Sequence, residues 1–92
     1  MITAEMTSEH PVLMLRVRVS DEGTESSHDV TLSHRDLARL GRPGETPAAF
    51  VTRCFAWMAE RHPGEPIQKR FDISALSEQF TEFELEIRLA AT

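Results

Sequence analysis

Two stretches decide the fold: Val12-Leu13-Met14-Leu15-Arg16-Val17-Arg18-Val19-Ser20 and, after a polar interval, His28-Asp29-Val30-Thr31-Leu32-Ser33. Both alternate with period two, and the first is rich in β-branched residues, which is the pattern of half-buried strands. Leu13, Leu15, Val17 and Val19 fall on one face of the first strand, with Met14, Arg16 and Arg18 on the other. In the second, Val30 and Leu32 point inward and Asp29 and Thr31 outward. The interval Asp21-Glu22-Gly23-Thr24-Glu25-Ser26-Ser27 is turn-forming. The two strands are therefore predicted to form an antiparallel hairpin, in which Asp29 opposes Arg16 or Arg18. A hairpin alone is marginal in water, so helices must cover its apolar face.

Helix signals follow in the chain. Ser33 and Asp36 have the spacing of a capping box, with Leu32 and Leu37 as the flanking staple. Gly41 marks the end of that short helix. Thr46 and Pro47 open a second helix. From Ala48 to Arg61 it carries an apolar arc of Phe50, Val51, Cys54, Phe55, Trp57 and Met58, and Pro63-Gly64 ends it. Residues 1–11 are mixed and polar and read as a loose terminus, which leaves 12–92 as a single α+β domain. Pro66 to Phe71 reads as the start of a helical turn, with Asp72 capping the next. The tail carries two signals. Thr81 and Glu84 have capping-box spacing, whereas Phe83, Leu85, Ile87 and Leu89 alternate with Glu84, Glu86 and Arg88 as in a strand. The tail is read as a helix, with a third strand as the alternative.

Size and charge remove several classes of function. A chain of 92 residues is one thin-cored domain, too small for a two-domain cleft. Ten Lys and Arg against fifteen Asp and Glu give a net charge of −5, which weighs against nucleic acid and anionic membranes as partners. The single Cys54 rules out an intrachain disulfide. With no signal-peptide pattern and no apolar run near ~18 residues, a cytoplasmic location is expected.

The sequence holds no glycine-rich phosphate loop, no Gly-x-Ser-x-Gly, no His-Glu-x-x-His and no paired CxxC. His10, His28, His34 and His62 lack metal-ligand spacing and read as surface residues. Cys54 reads as a small buried hydrophobe. Glu82, Glu84 and Glu86 read as a solvated acidic face. No catalytic residue, metal or cofactor is expected, and the chain is not read as an enzyme. What remains is cationic: Arg16 and Arg18 on the outer hairpin face, and Lys69-Arg70 further on. The competing account of Arg16 and Arg18 is protection of an exposed strand from aggregation, and of Arg70 a surface pair with Asp72 or a neighbouring Glu. The expected function is that of a small non-catalytic interaction or accessory protein. Its partner would be another protein, met at Arg16, Arg18, Lys69 and Arg70. A homodimer stays open, through helix 47–61 or a strand edge.

Phe55-Ala56-Trp57-Met58-Ala59-Glu60-Arg61-His62-Pro63, then Ile67-Gln68-Lys69-Arg70-Phe71-Asp72-Ile73-Ser74, then Phe80-Thr81-Glu82-Phe83-Glu84 resembles a pattern in a group of small bacterial proteins of unknown function. That pattern reads E-R-x-P, I-x-x-R-F-D-L-S and F-P-E-Y-E, and covers roughly the last 40 residues. Here Ile73, Thr81 and Phe83 replace Leu, Pro and Tyr. The position of Leu85 is charged in that group, which implies a helical tail; the resemblance implies a shape and no activity. A weaker resemblance, in strand 28–33 and helices 34–40 and 47–61, is to ribbon-helix-helix regulators. It implies a DNA-binding dimer in which Asp29, Thr31 and Ser33 read bases, although Asp29 carries the wrong charge for that task.

Overall fold

The computed structural model describes residues 1–89; the last three residues of the expected 12–92 domain lie outside the described residues. The elements are β1 (Ile2–Ser8), β2 (Leu13–Asp21), β3 (Thr24–Leu32), α1 (His34–Leu40), α2 (Pro47–Arg61), β4 (Arg70–Asp72), α3 (Ser74–Gln79) and α4 (Phe83–Leu89). The strands form one sheet in the order β1-β2-β3-β4. The first three are antiparallel, and β4 joins β3 in parallel. The class is α+β, with the expected hairpin at the centre of a four-stranded mixed sheet.

The hairpin register sets Leu13 opposite Leu32, Leu15 opposite Val30 and Val17 opposite His28. Asp21 pairs with Thr24, so the loop is only Glu22-Gly23, and β3 begins at Thr24 rather than at His28. Both loop residues have positive φ, 48° and 83°. That is the mirror-image turn whose twist matches the flanking strands.

The reading of residues 1–11 as a loose terminus is corrected: Ile2–Ser8 pairs with β2 from Ile2↔Val19 to Met6↔Leu15 and on past a bulge. Ile2, Ala4 and Met6 lie half-buried against the core while Thr3, Glu5 and Thr7 are exposed. The alternation is genuine but faint, because Ala4 contributes only a methyl group. Cross-strand packing on β2 supplies what local propensity does not.

Residues 66–71 are corrected too. They do not start a helix; Arg70–Asp72 adds a parallel strand, held where the Asp29 N–H donates to the Lys69 carbonyl (2.7 Å) and the Ile73 N–H to the Thr31 carbonyl (3.0 Å). The far edge of β3 needs partners for its backbone groups, and this distant segment provides them.

In the tail the helix prevails over the strand. Phe83 and Ile87 are buried, whereas Leu85 and Leu89 are 64% and 60% exposed, so burial follows a four-residue step rather than alternation. The Thr81–Glu84 capping box does not form, because the Glu84 carboxylate is taken by Arg39 at 2.7 and 3.1 Å. At α1 the box is half made. Ser33 Oγ accepts the Asp36 N–H, but the Asp36 carboxylate turns to Arg39. Gly41 caps α1 in an extended conformation; a Cβ there would sit 2.7 Å from the Leu37 carbonyl oxygen, so close approach is what demands glycine.

All four helices contribute to one core on the inner face of the sheet. The predicted arc of α2 is buried in full, against Leu13, Leu15, Val17, Val30 and Leu32, with Leu40, Leu76, Phe83 and Ile87 closing the sides. Each fully buried Phe or Leu contributes about 1.5–3 kcal/mol. None of the described helices lies on the outer face of the sheet.

Candidate functional site

A row of charge crosses that bare face. Glu5 stands opposite Arg16, Arg16 opposite Asp29, and Asp29 opposite Arg70, so the signs alternate over all four strands. Arg16 Nε lies 3.1 Å from Asp29 Oδ1, and Arg70 Nε lies 3.8 Å from Asp29 Oδ2. One row along, Thr3, Arg18 and Ser27 align. On the other side Met14, Thr31 and Asp72 align, and the Thr31 hydroxyl donates to Asp72 Oδ1 at 2.5 Å. Asp72 Oδ2 accepts the Ser74 N–H at 3.0 Å. Burial alone would raise the Asp72 carboxyl, but the bonds from Thr31 and Ser74 override it and hold it below its ordinary value. An open hollow of about 530 Å³ lies here, edged by Thr7, Met14, Arg16, Asp29, Arg70 and Asp72.

The structure brings Arg16, Arg18 and Arg70 to one face. Lys69 is exposed as well, but it is tied into the sheet through its main chain, its carbonyl accepting the Asp29 N–H. Protection of an edge does not account for Arg16 and Arg18, since β2 lies inside the sheet. Arg70 turns to Asp29 and not to Asp72. β3 is paired with β2 on one side and, over Asp29–Thr31, with β4 on the other, so that edge is closed to a two-chain ribbon.

The reading of all four histidines as surface residues is corrected at His28, which is 5% exposed. Its Nδ1 lies 2.7 Å from the Gln68 carbonyl and its Nε2 3.0 Å from the Ser26 hydroxyl. A neutral ring with its proton on Nδ1 satisfies both, donating to Gln68 and accepting from Ser26. His28 therefore pins the segment before β4 onto the hairpin. The acidic run of the tail is not merely a solvated face either. Glu82 meets His62 Nε2 (2.8 Å), Glu84 meets Arg39, and Glu86 accepts from Trp57 Nε1 and Arg61 (3.0 Å each). These bonds strap the tail to α1 and α2. Neither role leaves a sequence signal, because each depends on a partner far along the chain.

A second hollow, of about 180 Å³, opens where α2 ends. Met58, Ile67, Phe71, Leu76 and Phe80 line it together with His62. The His62 ring stacks on Phe80, centroids 4.0 Å apart. Its bond to Glu82 holds that carboxyl below its ordinary value. The lining is apolar and suits an aliphatic or aromatic group. Cys54 is no nucleophile, since burial pushes its thiol far up. Among the described residues no three His, Cys, Asp or Glu side chains converge as a metal site. None of the described helices is long and apolar enough to cross a membrane.

Comparison with protein-family models, with curated proteins and with solved structures returns no match for the chain.

Proposed function

We propose that this protein is a small non-catalytic interaction module, and that the outer face of its sheet is where a protein partner docks. The supporting observation is that Arg16 and Arg70 edge an open hollow, with Arg18 two positions along β2 from Arg16, on a face that no described helix covers. Arg70 is 86% exposed, and among the described residues Arg18 makes no ion pair, so both guanidinium groups have donors to offer. Such donors fit an acidic segment of the partner, and Met14 at the edge of the hollow offers an adaptable apolar contact. The net charge of −5 disfavours nucleic acid on the same face. A reducing cytoplasmic setting suits a chain whose one cysteine is a buried thiol.

The test compares immobilised wild-type protein with the triple variant Arg16→Ala, Arg18→Ala, Arg70→Ala in quantitative capture from a cell extract. A partner retained by the wild type is expected to fall by at least about tenfold on the variant. Equal retention of every captured protein contradicts the docking face.

A further inference from the structure

The two edges of the sheet are treated differently. The β4 edge is three residues long, with exposed Arg70 on it. The β1 edge is seven residues long, and from Ile2 to Met6 it holds no proline, no lysine and no bulge, which are the usual devices against edge pairing.

Backbone parity shows which groups face outward. The Met1 N–H donates to the Ser20 carbonyl and the Ser20 N–H to the Met1 carbonyl, so Met1 and Ser20 are a hydrogen-bonded pair. In an antiparallel ladder such pairs alternate, so Thr3 and Glu5 also bond to β2. The N–H and C=O groups of Ile2, Ala4 and Met6 then point away from the sheet. No other described segment reaches them by a hydrogen bond.

We propose that this edge binds a second copy of the chain, antiparallel, with Ala4 on the two-fold axis. The segment Ile2-Thr3-Ala4-Glu5-Met6 is self-complementary in that register. Ala4 meets the partner's Ala4, and Ile2 meets the partner's Met6, in hydrogen-bonded pairs that form about six interchain bonds. Ile2, Ala4 and Met6, left half-buried by the single chain, complete their burial against their own kind. On the outer face Thr3 meets the partner's Glu5, so no two carboxylates face each other. Arg16, Glu5, the partner's Thr3 and the partner's Arg18 then form one row, in which each Glu5 keeps its own Arg16 on one side and meets only a neutral hydroxyl across the seam. Shifting the axis to Glu5 would oppose two carboxylates, which is the arrangement the sequence avoids. The dimer carries one continuous eight-stranded sheet, and its outer face holds both hollows. It does not depend on what docks there.

The experiment is light scattering on the full chain over a concentration series, beside the variant Ala4→Pro. The Ala4 N–H serves no intrachain bond, so proline removes only an interchain donor. The wild type is expected at about 21 kDa, twice its 10.4 kDa chain mass, and Ala4→Pro at one chain mass with an unchanged circular dichroism spectrum. A wild type that stays monomeric up to millimolar concentration overturns the proposal, as does a dimer that survives Ala4→Pro. Amide exchange in the unmutated protein gives a second check that needs no variant. The Ile2, Ala4 and Met6 amides are expected to exchange at least about a hundredfold more slowly than exposed amides in the concentrated protein, and to lose that protection on dilution. Fast exchange at all three overturns the proposal.

Discussion

Asp29 stands between Arg16 and Arg70, one carboxylate oxygen 3.1 Å from Arg16 Nε and the other 3.8 Å from Arg70 Nε. Two arginines thus share one acid on an open surface. Such exposed pairs contribute little stability, so Asp29→Asn is expected to change unfolding free energy by no more than about 0.5 kcal/mol. It also releases both guanidinium groups, so affinity for the proposed acidic partner is expected to rise. Urea unfolding together with a binding titration checks both parts.

Arg53 holds a sheltered junction. Its Nε and Nη2 donate to Glu45 at 2.9 and 3.0 Å, and its Nη1 donates to the Ile87 carbonyl at 2.7 Å, near the end of α4. The Arg53 and Glu45 side chains are 15% and 6% exposed, so a lost partner is not replaced by water. Arg53→Ala is expected to cost about 2–4 kcal/mol in urea unfolding. Arg53→Lys recovers only part of that, since it lacks the planar fork.

The Arg39–Glu84 pair sets an acid dependence. Hydrogen bonds from Arg39, then from Ser77, hold the Glu84 carboxyl down to about 2. The folded value is below the unfolded one of about 4.3, so this contribution is complete above pH ~4.5 and is lost as pH falls toward 2. Over a third of each side chain is exposed, which keeps the contribution under about 1 kcal/mol. Thermal melting from pH 6 to pH 2 should fall less steeply in Arg39→Ala than in the wild type.

His28→Leu keeps the bulk in the core but abandons the Gln68 carbonyl and the Ser26 hydroxyl. A cost of about 1–3 kcal/mol is expected. The loss should be local as well as global. The Asp29 amide, bonded to the Lys69 carbonyl, should exchange faster as β4 loosens, and amide exchange by NMR reads this directly.

The elements that were legible in the sequence carry their information locally. The inner faces of β2 and of Val30 and Leu32 alternate cleanly, the arc of α2 repeats at helical spacing, and Ser33 and Thr46 cap the helices they precede. The same pattern puts Asp29 opposite Arg16 or Arg18, and Arg16 is the one it meets. What escaped depends on a partner segment rather than on local pattern. β1 is ordered by β2 more than by its own residues, and β4 exists because β3 offers an edge. The straps from Glu82, Glu84 and Glu86 reach partners on α1, α2 and the loop after it. The turn was legible within 21–27 but not its two-residue position, because Glu22 takes the left-handed place where Asn or Asp would have signalled it. At the candidate site, Arg16, Arg18 and Arg70 were legible as outward cations. Their convergence was not, because it runs through the parallel β3–β4 pairing.

The proposed docking of an acidic protein segment on the outer sheet face is open to direct observation. The most direct measurement is an NMR titration of the isotope-labelled full chain with a short peptide rich in aspartate and glutamate. Shift changes are expected to centre on Arg16, Arg18 and Arg70 and their strand neighbours, and to disappear in the triple alanine variant. Changes centred on the apolar hollow around His62, or none at millimolar peptide, would contradict it.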